Sequence, residues 1–147
     1  MRQTEWRERR SAGENARREL PALVSSYFSY VREELAKDPP PPRLHRLRLA
    51  TKRLRYTLEL FRDCYGRGLE QRLEALRTVQ QRLGDVNDCV AARALLARKM
   101  RRSLERARMN KFLDARVQKE AKNFRREWNE LFEAPGRERW WTGYLSR

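Results

Sequence analysis

The sequence predicts an all-α protein, an antiparallel bundle of about four to five helices folded as one domain. Three observations predict it. Only six of 147 residues are glycine, too few for the turns of a β architecture, and charged residues make up 37%. Through most of the chain, apolar residues recur three and four positions apart, the period of a helix with one buried face. The length suits one domain with a real core rather than two, and 39% apolar residues suffice to build it.

Residues 1–15, MRQTEWRERRSAGEN, have no clean period and read as a loose or frayed arm, leaving 16–147 as the domain. A first helix over about 17–37 places Leu20, Leu23, Val24, Tyr27, Val31 and Leu35 on one face, and KDPPPPR stops it and makes a stiff connector. A second covers about 43–64 and ends before YGRG. A third over 69–83 buries Leu69, Leu73, Leu76, Val79 and Leu83, with Gly84 closing it. Asn87 or Asp88 then caps a fourth helix to about residue 108, within which RKMRRSLERAR reads as a solvated face. The stretch 109–135 supplies a fifth, carrying Phe112, Val117, Phe124, Trp128 and Phe132, while Met100 and Met109 read as packing residues. In the tail, Trp140 and Trp141 clamp onto the bundle.

Charge narrows the function. Lys and Arg outnumber Asp and Glu by 35 to 20, a net charge of +15 that points to a polyanionic partner. Cys64 and Cys89 have neither disulfide-framework nor zinc spacing and read as core thiols. With no apolar run of membrane-spanning length and no signal-like segment, the expected location is the cytoplasm, without a membrane.

The stretch RLHRLRLATKRLRYTLELF, 43–61, carries the densest charge. At about 100° per residue, Leu44, Leu47, Thr51, Leu54, Leu58 and Phe61 share the core face. His45, Arg48, Lys52 and Arg55 fall in the adjoining sector at spacings of three, four and three, so they line up along the helix. Beyond them lies a second apolar band of Leu49, Tyr56 and Leu60. Arg46 and Arg53 lie further round, with Arg53 close enough to that band to be ambiguous. Cations stacked this closely repel one another, and in this helix only Glu59 shares their sector. Such a line suits an extended anion, for which arginine supplies a planar fork of donors and lysine a mobile charge; a merely solvated basic face is the alternative.

LHRLRLATKRLRYTLELF, followed by LEALRTVQQRLGDVNDCVAARALL, resembles the CHAD family, the conserved histidine α-helical domain. His45-x-x-Arg48, Lys52-Arg53-Leu54-Arg55, Leu76-Arg77-x-x-Gln80-x-x-Leu83-Gly84 and Asn87-Asp88 carry the resemblance over 44–96. It implies an all-helical domain that binds inorganic polyphosphate in a basic pore without catalysis. It makes His45, Arg48, Lys52, Arg53, Arg55 and Arg77 the expected phosphate contacts, Arg53 chiefly through the family pattern, and Tyr56 a further possible donor. It also suggests association with polyphosphate granules. The family's full domain pairs two bundles across its pore, whereas this chain has one His-x-x-Arg helix and no internal repeat, so a homodimer or an open groove is expected.

No cofactor or metal is expected, since Asn87 and Asp88 read as a cap rather than a metal or acid-base site. Nucleic-acid binding is the alternative class; it suits the charge, but no zinc finger, helix-turn-helix glycine pattern or RNP signature accompanies it. A phosphohydrolase using His45 as nucleophile is a third, disfavoured because neither a P-loop nor a cluster of acids is present.

Overall fold

A computed structural model describes residues 5–147, and among them the chain forms five α-helices and no strand. Ser11 opens α1 (Ala12–Leu35) through a capping box, its hydroxyl accepting from the Glu14 amide while Glu14 Oε2 accepts from the Ser11 amide. The helix therefore begins inside the expected arm. From its first turn the buried Asn15 side chain holds the segment before the helix, accepting from the Arg7 amide and donating to the Arg7 carbonyl, and Trp6 stacks on Phe61. The rest of the expected arm, residues 1–4, lies outside the described residues.

The proline run splits its work. Pro41 and Pro42 occupy the first turn of α2 (Pro41–Leu60), where a missing amide hydrogen costs nothing, so the connector is shorter than the four prolines suggested. A single 3-10 turn, Arg62–Cys64, follows, and Cys64 sits there half-buried instead of in the core, while Cys89 is buried. The core face of α2 is as expected: Leu44, Leu47, Thr51, Leu54 and Leu58 are buried. Thr51 belongs there because its hydroxyl is satisfied twice, donating to the Leu47 carbonyl and sharing a 2.8 Å hydrogen bond with Tyr27 of α1.

The largest departure is α3 (Gly68–Lys99), one uninterrupted helix of 32 residues where two were expected. Gly84 does not end it, and Asn87 and Asp88 cap nothing; they lie within the helix. Buried Leu76, Val79, Leu83, Val86 and Cys89 keep the three-and-four spacing across the glycine, and that burial outweighs the ~1 kcal/mol a mid-helix glycine costs. The stretch 98–108 is solvated, as expected, but it is not one helix face: the turn between α3 and α4 (Leu104–Leu131) falls within it at 100–103, and Ser103 caps α4 through the Arg106 amide. No residue from 91 to 116 is buried, so the far end of the α3–α4 hairpin has no core of its own. Phe112, expected on the buried face, is accordingly exposed, as is Met109.

Helix α3 packs between α2 and α4, and α1 packs against α2 and α5 (Arg137–Leu145). Rings from α1, α4 and α5 close the core: Trp128 stacks on Phe132 at 4.5 Å, Phe132 on Trp141 at 5.5 Å, and Phe28 meets all three at an angle. Trp141 thus does clamp the tail. Trp140 holds it differently. With Tyr144 it sandwiches the buried Arg72 guanidinium at 3.5 and 3.9 Å, and Arg72 donates to the Gly68 and Trp140 carbonyls. Burial draws that guanidinium down to about 10. A Cβ on Gly68 would stand 2.6 Å from the Tyr144 ring, so glycine is what lets α5 approach. No helix among the described residues is long and apolar enough to cross a membrane.

Candidate functional site

The cationic line of α2 runs beside α3, and solvent access rises steadily around the helix away from that contact. Arg55, which reaches Gln80 of α3, has a side chain 14% exposed; Arg48 and Lys52 are half-buried; His45 and Arg53 are exposed. The second apolar band completes the slope, with Leu49, Tyr56 and Leu60 at 46%, 47% and 82% exposed. The cations therefore lie on an open slope, walled by protein on the α3 side only. Arg53 falls outside the line, on the outer surface, so its place in the expected set rests on the family pattern and not on geometry.

A second stripe, from α3, faces the first. Arg77, Gln80 and Gly84 follow one another at spacings of three and four, antiparallel to the line on α2. Gly84 lies beneath Arg48, whose Nε would be 3.5 Å from a Cβ at that position. Arg48 Nε is buried and has no hydrogen-bond partner among the described residues. Gln80 accepts from Arg55 Nε at 3.0 Å. The Tyr56 ring underlies Arg55 at 4.5 Å and Lys52 at 5.5 Å, so its aromatic face rather than its hydroxyl serves the cations.

Acids divide the six expected contacts into two groups. Glu59 Oε1 lies 2.6 Å from Arg55 Nη1 and 3.5 Å from Arg77 Nη2. Glu70 and Glu74 also take Arg77, at 2.7 and 3.1 Å, and these carboxylates hold the guanidinium more firmly charged than usual. Reciprocally, the Arg77 hydrogen bond lowers the Glu70 carboxyl. By contrast, no described residue forms an ion pair with His45, Arg48, Lys52 or Arg53. Sequence reasoning missed the acids on α3, although Glu70 and Glu74 lie seven and three residues before Arg77, within reach on one helix face.

Arg48 and Lys52 are thus partly desolvated cations that no described acid pairs with. A phosphoryl chain offers what they lack: closely spaced oxygens, each able to accept from a guanidinium or ammonium. Neither a curated protein nor a solved structure matches the chain. The family model for the CHAD domain matches residues 2–97, from ahead of α1 almost to the end of α3 and across both stripes of the slope; the chain belongs to the CHAD domain family.

Proposed function

We propose that this protein binds inorganic polyphosphate along the α2–α3 slope without transforming it. The observation that carries the reading is Arg48: a half-buried arginine with an unpartnered Nε, one turn from an equally unpaired Lys52, is costly unless an anion is to be met there. His45, exposed at the end of the line, adds a donor. Arg55 and Arg77 extend the line but already hold carboxylates, so Arg48 and Lys52 are the stronger contacts.

Non-catalytic binding suits the surroundings of His45. No described residue hydrogen-bonds to its ring, so nothing there would orient or activate it as a nucleophile. Because the slope has a protein wall on one side only, a second copy would supply the other. Leu49, Tyr56 and Leu60, exposed next to the cations, give that copy an apolar contact. The working unit is then a homodimer enclosing the chain of phosphates. In the cell such a protein would be cytoplasmic and gather with polyphosphate granules.

The test is displacement of labelled polyphosphate by unlabelled polyphosphate, duplex DNA and RNA at matched phosphate concentration, over a range of salt. Polyphosphate should compete best and the affinity should fall steeply with salt as counterions are retained by the free ligand. Equal competition by DNA would sink the reading and favour a nucleic-acid-binding protein. Ala at Arg48 should weaken binding more than Ala at Arg77, while Arg46→Ala, on the exposed outer surface, should do little.

A further inference from the structure

One carboxylate stands inside the cationic line. Glu59 is the next-to-last residue of α2, where the negative end of the helix dipole disfavours an acid. There it bridges the two helices, with one oxygen shared between Arg55 of α2 and Arg77 of α3. Those are the donors a phosphoryl oxygen would use. The side chain is 27% exposed, so it can rotate away without opening the core.

We propose that Glu59 is a built-in competitor for the polyanion, holding Arg55 in the place of a phosphoryl group and ending the track at that turn. This rests on the polyphosphate reading and deepens it. The free protein then presents a short open track, His45 to Lys52, and a closed one beyond it. A short anion binds the open part alone. A longer chain gains the Nη1 donor of Arg55, and with it a two-pronged grip on the guanidinium, only by displacing Glu59, so the carboxylate sets how far along α2 the ligand is engaged. Arg77 stays closed longer, because Glu70 and Glu74 hold it independently of Glu59.

The consequence is readable in the salt dependence. Each phosphate contact adds about 0.7 to the slope of log K against log salt for a single-stranded polyanion. Replacing Glu59 with Gln keeps the shape and removes the competing charge. Long-chain polyphosphate should then bind roughly tenfold tighter, as one charge-assisted contact allows, and with a slope steeper by about 0.7. Glu74→Gln removes the same charge from the same neighbourhood and one of the two holds on Arg77 that are independent of Glu59, but it leaves Glu59 on Arg55, so it measures what losing a nearby carboxylate gives without opening Arg55. Adding Arg55→Gln to Glu59→Gln should abolish the gain.

Titrations of wild type, Glu59→Gln, Glu74→Gln and the double variant with long-chain polyphosphate, at four salt concentrations and with helicity checked by circular dichroism, decide it. If Glu59→Gln loses helicity, Glu59→Ala takes its place. A gain specific to Glu59 and dependent on Arg55 supports the inference. Wild-type binding with Glu59→Gln no better than Glu74→Gln overturns it and leaves the function standing. A wild-type protein indifferent to polyphosphate overturns both.

Discussion

Replacing Arg48 with Met should stabilise the protein and weaken its binding. The methionine keeps most of the apolar stem and removes the guanidinium, whose Nε lies over Gly84. An unsatisfied buried donor costs about 1–3 kcal/mol, and Arg48 Nε is one. Lys52 follows one turn along α2, about 6 Å by helix rise, so their repulsion amounts to about 0.7 kcal/mol in water and about 3 kcal/mol at an effective dielectric of 20. Half-burial puts the real value between these. Against this stands little, since no described acid pairs with Arg48. Solvent screening at this half-buried site holds the sum of the two near its lower end, so a gain of about 2 kcal/mol is expected, equivalent to a rise in melting temperature of about 4–8 °C for a chain of this size. Melts at low salt, without ligand, measure it. Polyphosphate affinity should meanwhile fall by roughly 1–3 kcal/mol through the lost charge-assisted hydrogen bonds. A variant that melts lower and binds as well as wild type would refute the reasoning, because Arg48 would then be serving the fold.

Other expectations follow from single contacts. Gly84→Ala should raise stability by about 0.5–1 kcal/mol, since its methyl would meet Arg48 Nε at an ordinary 3.5 Å, whereas Gly84→Leu should unseat Arg48 and cost polyphosphate affinity; thermal melts paired with titrations separate the two. The hydrogen bond from Arg32 holds the Glu133 carboxyl below its ordinary 4.5, so the stability it gives is present above that pH and is lost as pH falls through the lower folded value. Melting temperature followed from pH 7 to pH 3 should therefore drop less for Glu133→Gln than for wild type on the acid side. Analytical ultracentrifugation should show short polyphosphate driving the chain towards a dimer, and Leu60→Glu should block this; a monomer that binds with undiminished affinity would leave the open slope as the whole site.

Much of the fold was legible because periodicity is a consequence of burial. The core face of α2 follows directly from the wheel, and so does the burial of Val117, Phe124 and Trp128 on α4. Punctuation was the poorer guide. Gly84 followed by Asp and Asn looks like a helix end and a new cap, yet the apolar register passes through it from Leu76 to Cys89 without a change of phase. A break would have shifted that phase. Phe112 failed for the opposite reason: its spacing is helical, but the bundle has run out before it, and a sequence does not say how many helices stand beside a given turn.

The site shows a similar division. A wheel of one helix can align His45, Arg48, Lys52 and Arg55, because that alignment depends on nothing outside α2. It cannot tell a free cation from an occupied one, because that depends on what α3 brings across. Arg77 belongs to the family motif as much as Arg48 does, yet it arrives with Glu70 and Glu74 from its own helix and Glu59 from the facing one. Arg48 arrives over a glycine. The facing position therefore decides: a side chain at 84 could have partnered or displaced the guanidinium, and its absence leaves room for Arg48 to lie against α3 with its charge uncompensated. On this view Gly84 matters to binding through the space it leaves, and not through any turn it makes.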